Sequence, residues 1–409
     1  MKHWLLGFTF MLLVTLTGVS EEPLKLAENG ETRYVILEGG NATEPEKYAA
    51  KELAEFLKRA TGAEFPVVVE SAESADSGEV PKIYVGWTEF AAKNGVEPFK
   101  LGEEEWLIRT VGHNLIITGG RPRGTMYGVY EFLEDHVGCH WLDRGTEVVP
   151  NKPTLEMGSL DIQAKPWFWY RRLYALVPTP DDKWNFMIRN KNYRYDFRGR
   201  RDFSPKDAFY KLQGAPGGIH SFSNFVNAKD WYDSHPEYFS LVNGKRLPAY
   251  DGGGPGQLCL TNPDVRRITL EKLREFIKRD REEAKRKGCL PPKIYGINQN
   301  DRYNPHCQCK NCQAIAKKEG GESGPLLDFI NFVAEDIEED YPDILIYTIA
   351  YNLTATPPKS IKPRNNVIVG WCDVYSKCDG IRPLKHPYNC GNYKEITSWG
   401  KIVPRMAIA

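Results

Sequence analysis

The sequence predicts an α/β protein in two parts. The first is an N-terminal α/β accessory domain over residues 22–155, with a sandwich-like packing of sheet and helices. The second is an incomplete, truncated TIM-type (β/α) barrel over 160–409. Three observations carry that expectation. At 409 residues the chain exceeds one ordinary domain and suits two. Its first half runs short β-rich segments into two amphipathic helices. Its second half alternates short β-rich segments with long helices.

Residues 1–20 are expected outside the fold. Lys2 and His3 precede an apolar run from Trp4 to Val19, and Gly18-Val19-Ser20 offers small residues before Glu21-Glu22. That is the layout of a signal peptide cleaved after Ser20, so the mature protein is expected to be secreted or periplasmic. The run is short and rich in Thr and Gly, and no stable membrane insertion is expected after cleavage.

In the first half, Arg33 to Leu37 reads as a strand. Thr43 and Glu46 form a capping box for a helix whose apolar residues are Ala49, Leu53, Phe56, Leu57 and Ala60, and Gly62 closes it. Val67–Val69 and Ile83–Val85 read as buried strands, and Trp106–Thr110 with Asn114–Thr118 as a hairpin around Gly112. A second helix is expected from Thr125 to His136, with the sheet covered on one face. Gly119-Gly120-Arg121-Pro122-Arg123-Gly124 lacks the Lys-Ser/Thr of a phosphate loop and reads as a tight strand-to-helix turn. Glu46, Glu52 and Glu55 are expected on solvated helix faces, away from any chemistry.

The Pro-, Asn- and Lys-punctuated stretch from Thr146 to Pro166 reads as a linker. Barrel strands are then expected at Trp167–Leu176, Gly218–Phe222, Gln257–Leu260, Lys293–Ile297, Ile344–Tyr351 and Val367–Asp373, with another apolar run from Met406. Between them, Asn262-Pro263 caps a helix lined by Val265, Ile268, Leu273, Phe276 and Ile277, and Leu326–Ile337 forms another. About seven strands result where a closed barrel needs about eight, which is why a truncated barrel is expected.

Composition narrows the function. Lys+Arg and Asp+Glu both number 54, a formal net charge of zero, which argues against a nucleic-acid partner. Aromatic residues reach 12%, more than a core alone demands, and such rings serve as sugar-stacking platforms as well as core filler.

The run Gly124-Thr125-Met126-Tyr127-Gly128-Val129-Tyr130-Glu131-Phe132-Leu133-Glu134, with Gly138-Cys139-His140-Trp141 and Val148-Val149-Pro150, resembles the N-terminal accessory domain of α-glucuronidases and β-hexosaminidases. Further on, His235-Pro236-Glu237-Tyr238-Phe239, Leu258-Cys259-Leu260-Thr261-Asn262-Pro263 and Asn300-Asp301 with Cys307, Cys309 and Cys312 resemble the domain of unknown function 4838. That group is related to glycoside hydrolase family 163, endo-acting β-N-acetylglucosaminidases built on a barrel. The resemblance implies an exported hydrolase with a glycan or polysaccharide substrate. An N-acetylglucosaminide cleaved by an acetamide-assisted retaining mechanism fits it. The alternatives are a non-catalytic polysaccharide-binding protein and an inactive fragment of a glycosidase.

Barrel chemistry sits where strands end at the C-terminal face. Asp301, after the strand ending at Ile297, is the candidate acid, with Asn300 as orienter of the acetamide; the two could instead form a turn that bonds its own backbone. Asp373 is the alternative acid or second carboxylate, or a helix cap. His220, Glu237, Tyr238 and Trp371 are candidate substrate contacts, each with a plain structural alternative. His306-Cys307-Gln308-Cys309-Lys310-Asn311-Cys312 is the densest ligand cluster. Three sulfurs within six residues suit tetrahedral zinc, with Cys259 or Cys289 as the fourth ligand. In an exported chain, disulfides to Cys259, Cys289, Cys372, Cys378 or Cys390 are the competing reading. No cofactor is required for hydrolysis, and the zinc would be structural.

Overall fold

A computed structural model describes residues 23–71, 80–143, 145–168, 171, 182–192, 214, 219–250, 254–287, 291–301, 306–372, 383 and 385–408. The residues up to 20, Asp373 and Cys289 lie outside these described residues. The chain divides into two compact units, one ending at Trp167 and one beginning at Phe168.

Unit 1 comprises strands β1 Leu24–Ala27 and β2 Val35–Glu38, helix α1 Glu44–Thr61, strands β3 Val67–Val69 and β4 Lys82–Val85, and helix α2 Glu89–Lys93. Strands β5 Trp106–Val111 and β6 Asn114–Gly119 and helix α3 Gly124–Phe132 follow. The strands β7 His140–Trp141, β8 Glu147–Val148, β9 Leu155–Met157 and β10 Asp161–Ala164 complete it. Six strands form one mixed sheet in the order β10-β5-β6-β4-β2-β3. β5 and β6 are the expected hairpin, with Val111 paired to Asn114 and Gly112 at φ 57° in its turn.

Thr43 and Glu46 make the capping box, and Gly62 closes α1 at φ 83°. Alternate residues of the strands serve two faces. α1 and α3 pack on one another, with α1 against β2 and α3 against β5 and β6. Leu37, Tyr84, Leu107 and Ile116 make a second small core with Ala91 of α2 and Val96. The sheet is therefore covered on both faces, not one, because α2 is too short to stand out as a helical repeat.

The turn between β6 and α3 is as tight as the sequence suggests. A Cβ on Gly119 would lie 2.3 Å from the Gly124 backbone, and one on Gly120 would lie 2.0 Å from the Gly102 carbonyl. Only glycine fits so close a backbone approach. Glu46 departs from expectation: it is buried, accepts from the Thr43 N–H and hydroxyl, and pairs with Arg121 at 3.0 Å. The stretch expected as a linker instead carries strands. β9 pairs with β1, and β10 forms the sheet edge against β5. Strands this short between Pro and Gly leave almost no alternation to read.

Unit 2 comprises α4 Asp182–Arg189, α5 Phe222–Phe225, α6 Ala228–Trp231, the hairpin β11 Leu241–Val242 and β12 Lys245–Arg246, and α7 Pro263–Lys287. Strand β13 Ile294–Gly296, helices α8 Lys310–Glu319 and α9 Ser323–Asp340, strands β14 Leu345–Ala350 and β15 Val367–Trp371, helix α10 Cys390–Gly400 and strand β16 Met406–Ile408 follow. The four strands β13-β14-β15-β16 are parallel and lie in sequence order. Each new strand adds on the same side, with α9 packed on β14 and β15 and against α7. The Asn262 side-chain oxygen caps α7 by accepting from the N–H groups of Asp264 and Val265.

Two expected barrel strands are absent from the described residues. Phe222 opens α5, so the segment after His220 is helical. Around Leu258 there is an isolated bridge to Phe239, not a strand. Both segments carry only one or two strand-forming residues between Gly, Ser and Gln, and tertiary contacts decide them. The segment expected as the first barrel strand falls mostly outside the described residues; Trp167 and Phe168, which are described, are not in a strand.

Candidate active site

β13 ends at Gly296, and the next residues, Asn298, Gln299 and Asn300, are fully buried polar side chains. The backbone of this stretch and the Gln299 side chain are bonded from three other segments, while the buried Asn298 side-chain amide has no hydrogen-bond partner among the described residues. Ser221 donates to the Gly296 carbonyl at 2.9 Å and accepts from the Asn298 N–H at 2.9 Å. The Gln257 amide accepts from the Asn300 N–H at 2.8 Å and donates to the Asn300 carbonyl at 2.9 Å. Gln299 donates to the Tyr351 carbonyl and accepts from Thr354, which in turn accepts from the Tyr351 N–H.

On this floor stands Asp301, with 58% of its side chain exposed. The Tyr351 hydroxyl donates to its Oδ1 at 2.7 Å, and His220 Nε2 lies 3.9 Å from the same oxygen. His220 Nδ1 lies 2.8 Å from the Gln299 carbonyl, so Nδ1 carries the proton there. In the neutral ring Nε2 is then the free acceptor facing Asp301. The rings of His220 and Tyr351 meet edge to face at 5.6 Å. His220 is held at φ 62°, a left-handed backbone rare for a residue with a Cβ. Tyr351 follows β14 directly, so Asp301 and Tyr351 share the C-terminal end of adjacent parallel strands.

The other candidates fall elsewhere. Asn300 is buried beneath Asp301, and its amide donates to the Gly256 carbonyl at 3.2 Å. Glu237 lies in a short 3-10 turn, where His235 bonds it at 3.0 Å and holds its carboxyl below the usual carboxylate range. Tyr238 stacks on His235 at 4.6 Å and belongs to the core. Trp371 closes β15 and is 2% exposed, a core residue and not an open platform. Asp373 falls outside the described residues. Sequence reasoning missed Tyr351, and its only signal was its place at the end of an apolar strand.

Cys259, Cys307, Cys309 and Cys312 bring their sulfurs within 4.8 Å of one another. All four are free thiols. Hydrogen bonds from Cys307 and Cys312 draw the Cys259 thiol down, while sharing that charge pushes Cys307 up to about 11 and raises Cys312. His306 is buried and lies outside the sulfur group; desolvation lowers it to about 4, so it is neutral.

The fold is similar to that of a solved α-glucuronidase. A family GH115 4-O-methyl-α-glucuronidase with specificity for decorated arabinogalactans superposes with a TM-score of 0.51 at 12% identity, over 93% of this chain and 54% of that one. A Flavobacterium johnsoniae chitobiase gives 0.46 at 11% identity, over 95% and 57%. A mutant Streptomyces plicatus β-hexosaminidase in complex with GlcNAc gives 0.39 at 11% identity, over 95% and 71%. The chain thus spans little more than half the length of the first two. No curated protein matches the sequence.

Two family models match. Residues 25–132 match the glycosyl hydrolase family 67 N-terminus, and residues 141–409 match the domain of unknown function DUF4838. The chain belongs to the DUF4838 family.

Proposed function

We propose that this chain is an exported glycoside hydrolase whose parallel strands are part of a (β/α) barrel and whose acid is Asp301. One observation carries the reading: an exposed carboxylate on a buried, fixed polar floor, bonded by a phenol and faced by an imidazole at the C-terminal end of parallel strands. Glycoside hydrolysis needs an acid for the leaving oxygen and a second group to meet positive charge at the anomeric carbon. Tyr351 fixes the orientation of Asp301, and His220 Nε2 faces the same oxygen at 3.9 Å, beyond hydrogen-bond distance.

The proposed substrate is an N-acetylglucosaminide cleaved with retention through its own acetamide. Asn300 is buried, so the orienting contact falls to Tyr351 in this scheme. Asp373, two residues beyond β15, is proposed as the second carboxylate. An α-glucuronide is the second reading, favoured by the match of residues 25–132 to the family 67 N-terminus and by the GH115 likeness in fold. The route of export rests on residues 1–20 of the sequence.

The test assays the complete protein on a nitrophenyl N-acetylglucosaminide, an α-glucuronide-bearing polysaccharide and natural N-acetylated glycans, with Asp301→Asn in parallel. Turnover of an N-acetylated glycan that falls about 10²–10⁴-fold in the variant is expected. A complete protein that retains polysaccharide on an affinity gel and cleaves none of these is a binding protein, and the hydrolase reading then fails.

A further inference from the structure

The geometry points to a closed tetrathiolate zinc site formed by Cys259, Cys307, Cys309 and Cys312. Zinc bonded to four sulfurs at about 2.3 Å in a tetrahedron separates them by about 3.8 Å along each edge. Cys259 and Cys309 are 3.7 Å apart, and all four sulfurs fall within 4.8 Å. A disulfide needs about 2.05 Å. The four sulfurs converge on one point, whereas two disulfides would draw them into two pairs.

The chain is built to hold them there. Cys309 caps α8 and Cys312 lies in its first turn, so one helix start presents two sulfurs together. Cys259 follows Leu258, which bridges to Phe239, and its N–H donates to the Tyr238 carbonyl at 2.8 Å. Gln308, between Cys307 and Cys309, ties that run to the β11–β12 hairpin through the Leu241 carbonyl at 2.7 Å and the Asn243 N–H at 2.8 Å.

The surroundings suit charged sulfur. The Leu241 N–H points at Cys307 Sγ at 3.3 Å, and an Arg246 guanidinium nitrogen lies 3.8 Å from it. The Thr261 hydroxyl lies 3.2 Å from Cys312 Sγ and 3.7 Å from Cys309 Sγ. Such outer donors stabilise a thiolate-rich metal centre. Hard cations prefer oxygen donors, which leaves a soft or borderline metal; a tetrahedral four-sulfur array takes zinc or iron, and iron in place of zinc is an outcome that overturns the assignment. With four protein ligands the ion has no open position, so it takes no part in hydrolysis. It joins two segments that are distant in sequence, the one at Cys259 and the run 307–312, and Cys307 anchors the chain six residues after Asp301.

The experiment measures metal in the complete protein, purified without added zinc, by elemental mass spectrometry. One zinc per chain is expected in the wild type and in Cys390→Ser, whose thiol is exposed and outside the cluster. Less than a tenth of that is expected in Cys259→Ser and Cys312→Ser. Because those variants could fail to fold, wild-type protein reloaded with cobalt(II) supplies an independent reading. Thiolate-to-cobalt charge transfer and the intense visible bands of tetrahedral cobalt support the site. Metal-free wild type that folds and whose four cysteines are recovered as disulfides overturns it, as does an octahedral cobalt spectrum.

Discussion

Two polar clusters, one in each unit, bury charge and polarity for different ends. In unit 1 the carboxylates of Glu46 and Glu104 are buried against Arg121 and Arg123, beside the glycine turn that joins β6 to α3. Each ionised group is answered by a partner, which is how a protein tolerates charge out of water. In unit 2 the buried residues Asn298, Gln299 and Asn300 are neutral, and the charge sits one residue further on, exposed at Asp301. A paired, buried carboxylate holds a fold together. An exposed carboxylate on a rigid floor is free to act on a substrate.

Substitutions can break that contrast. The largest effect is expected at Asp301→Asn, a loss of about 10²–10⁴-fold in kcat/KM on the natural glycan with an unchanged melting temperature. Tyr351→Phe removes the hydrogen bond that orients Asp301 and is expected to lower kcat about tenfold, with KM nearly constant. Gln257→Leu strips two bonds from the Asn300 backbone and should lower the stability of unit 2 by about 2–4 kcal/mol, seen in urea unfolding. Glu46→Gln should destabilise unit 1 by about 1–3 kcal/mol and leave kcat unchanged. Glu55→Gln, on the exposed face of α1, should change stability by less than about 0.5 kcal/mol and activity not at all. A reversal, with Glu46→Gln abolishing turnover and Asp301→Asn only unfolding the chain, would undo the contrast.

Local signals were legible in the sequence where a short stretch decides the structure. The capping box of Thr43 and Glu46, the Gly112 hairpin, the helix after Asn262-Pro263 and the helix expected over Leu326–Ile337, which the structure extends to Ser323–Asp340, all follow from residues within a few positions of one another. The same capping box could have warned that Glu46 was not simply solvated, but its partner Arg121 lies 75 residues away. Distance explains the other differences. Tyr351 reaches Asp301 across 50 residues, and Gln257 reaches Asn300 across 43. Trp371 and Tyr238 look like sugar platforms in a sequence rich in aromatics, and only packing reveals them as core. Of the two fourth ligands considered for the cysteine cluster, Cys259 lies with the other three sulfurs, and Cys289 falls outside the described residues.

In the proposed reaction Asp301 delivers the proton to the leaving group. The most direct test of that step is the dependence of kcat/KM on leaving-group pKa across a series of aryl glycosides, for the complete wild-type protein and for Asp301→Asn. With the acid in place the dependence is shallow, because protonation offsets a poor leaving group. The variant is expected to show a steep decline, matching wild type within about tenfold on the most acidic phenols and falling furthest behind on the least acidic. Parallel lines, or equal rates across the series, would contradict the assignment of Asp301 as the acid.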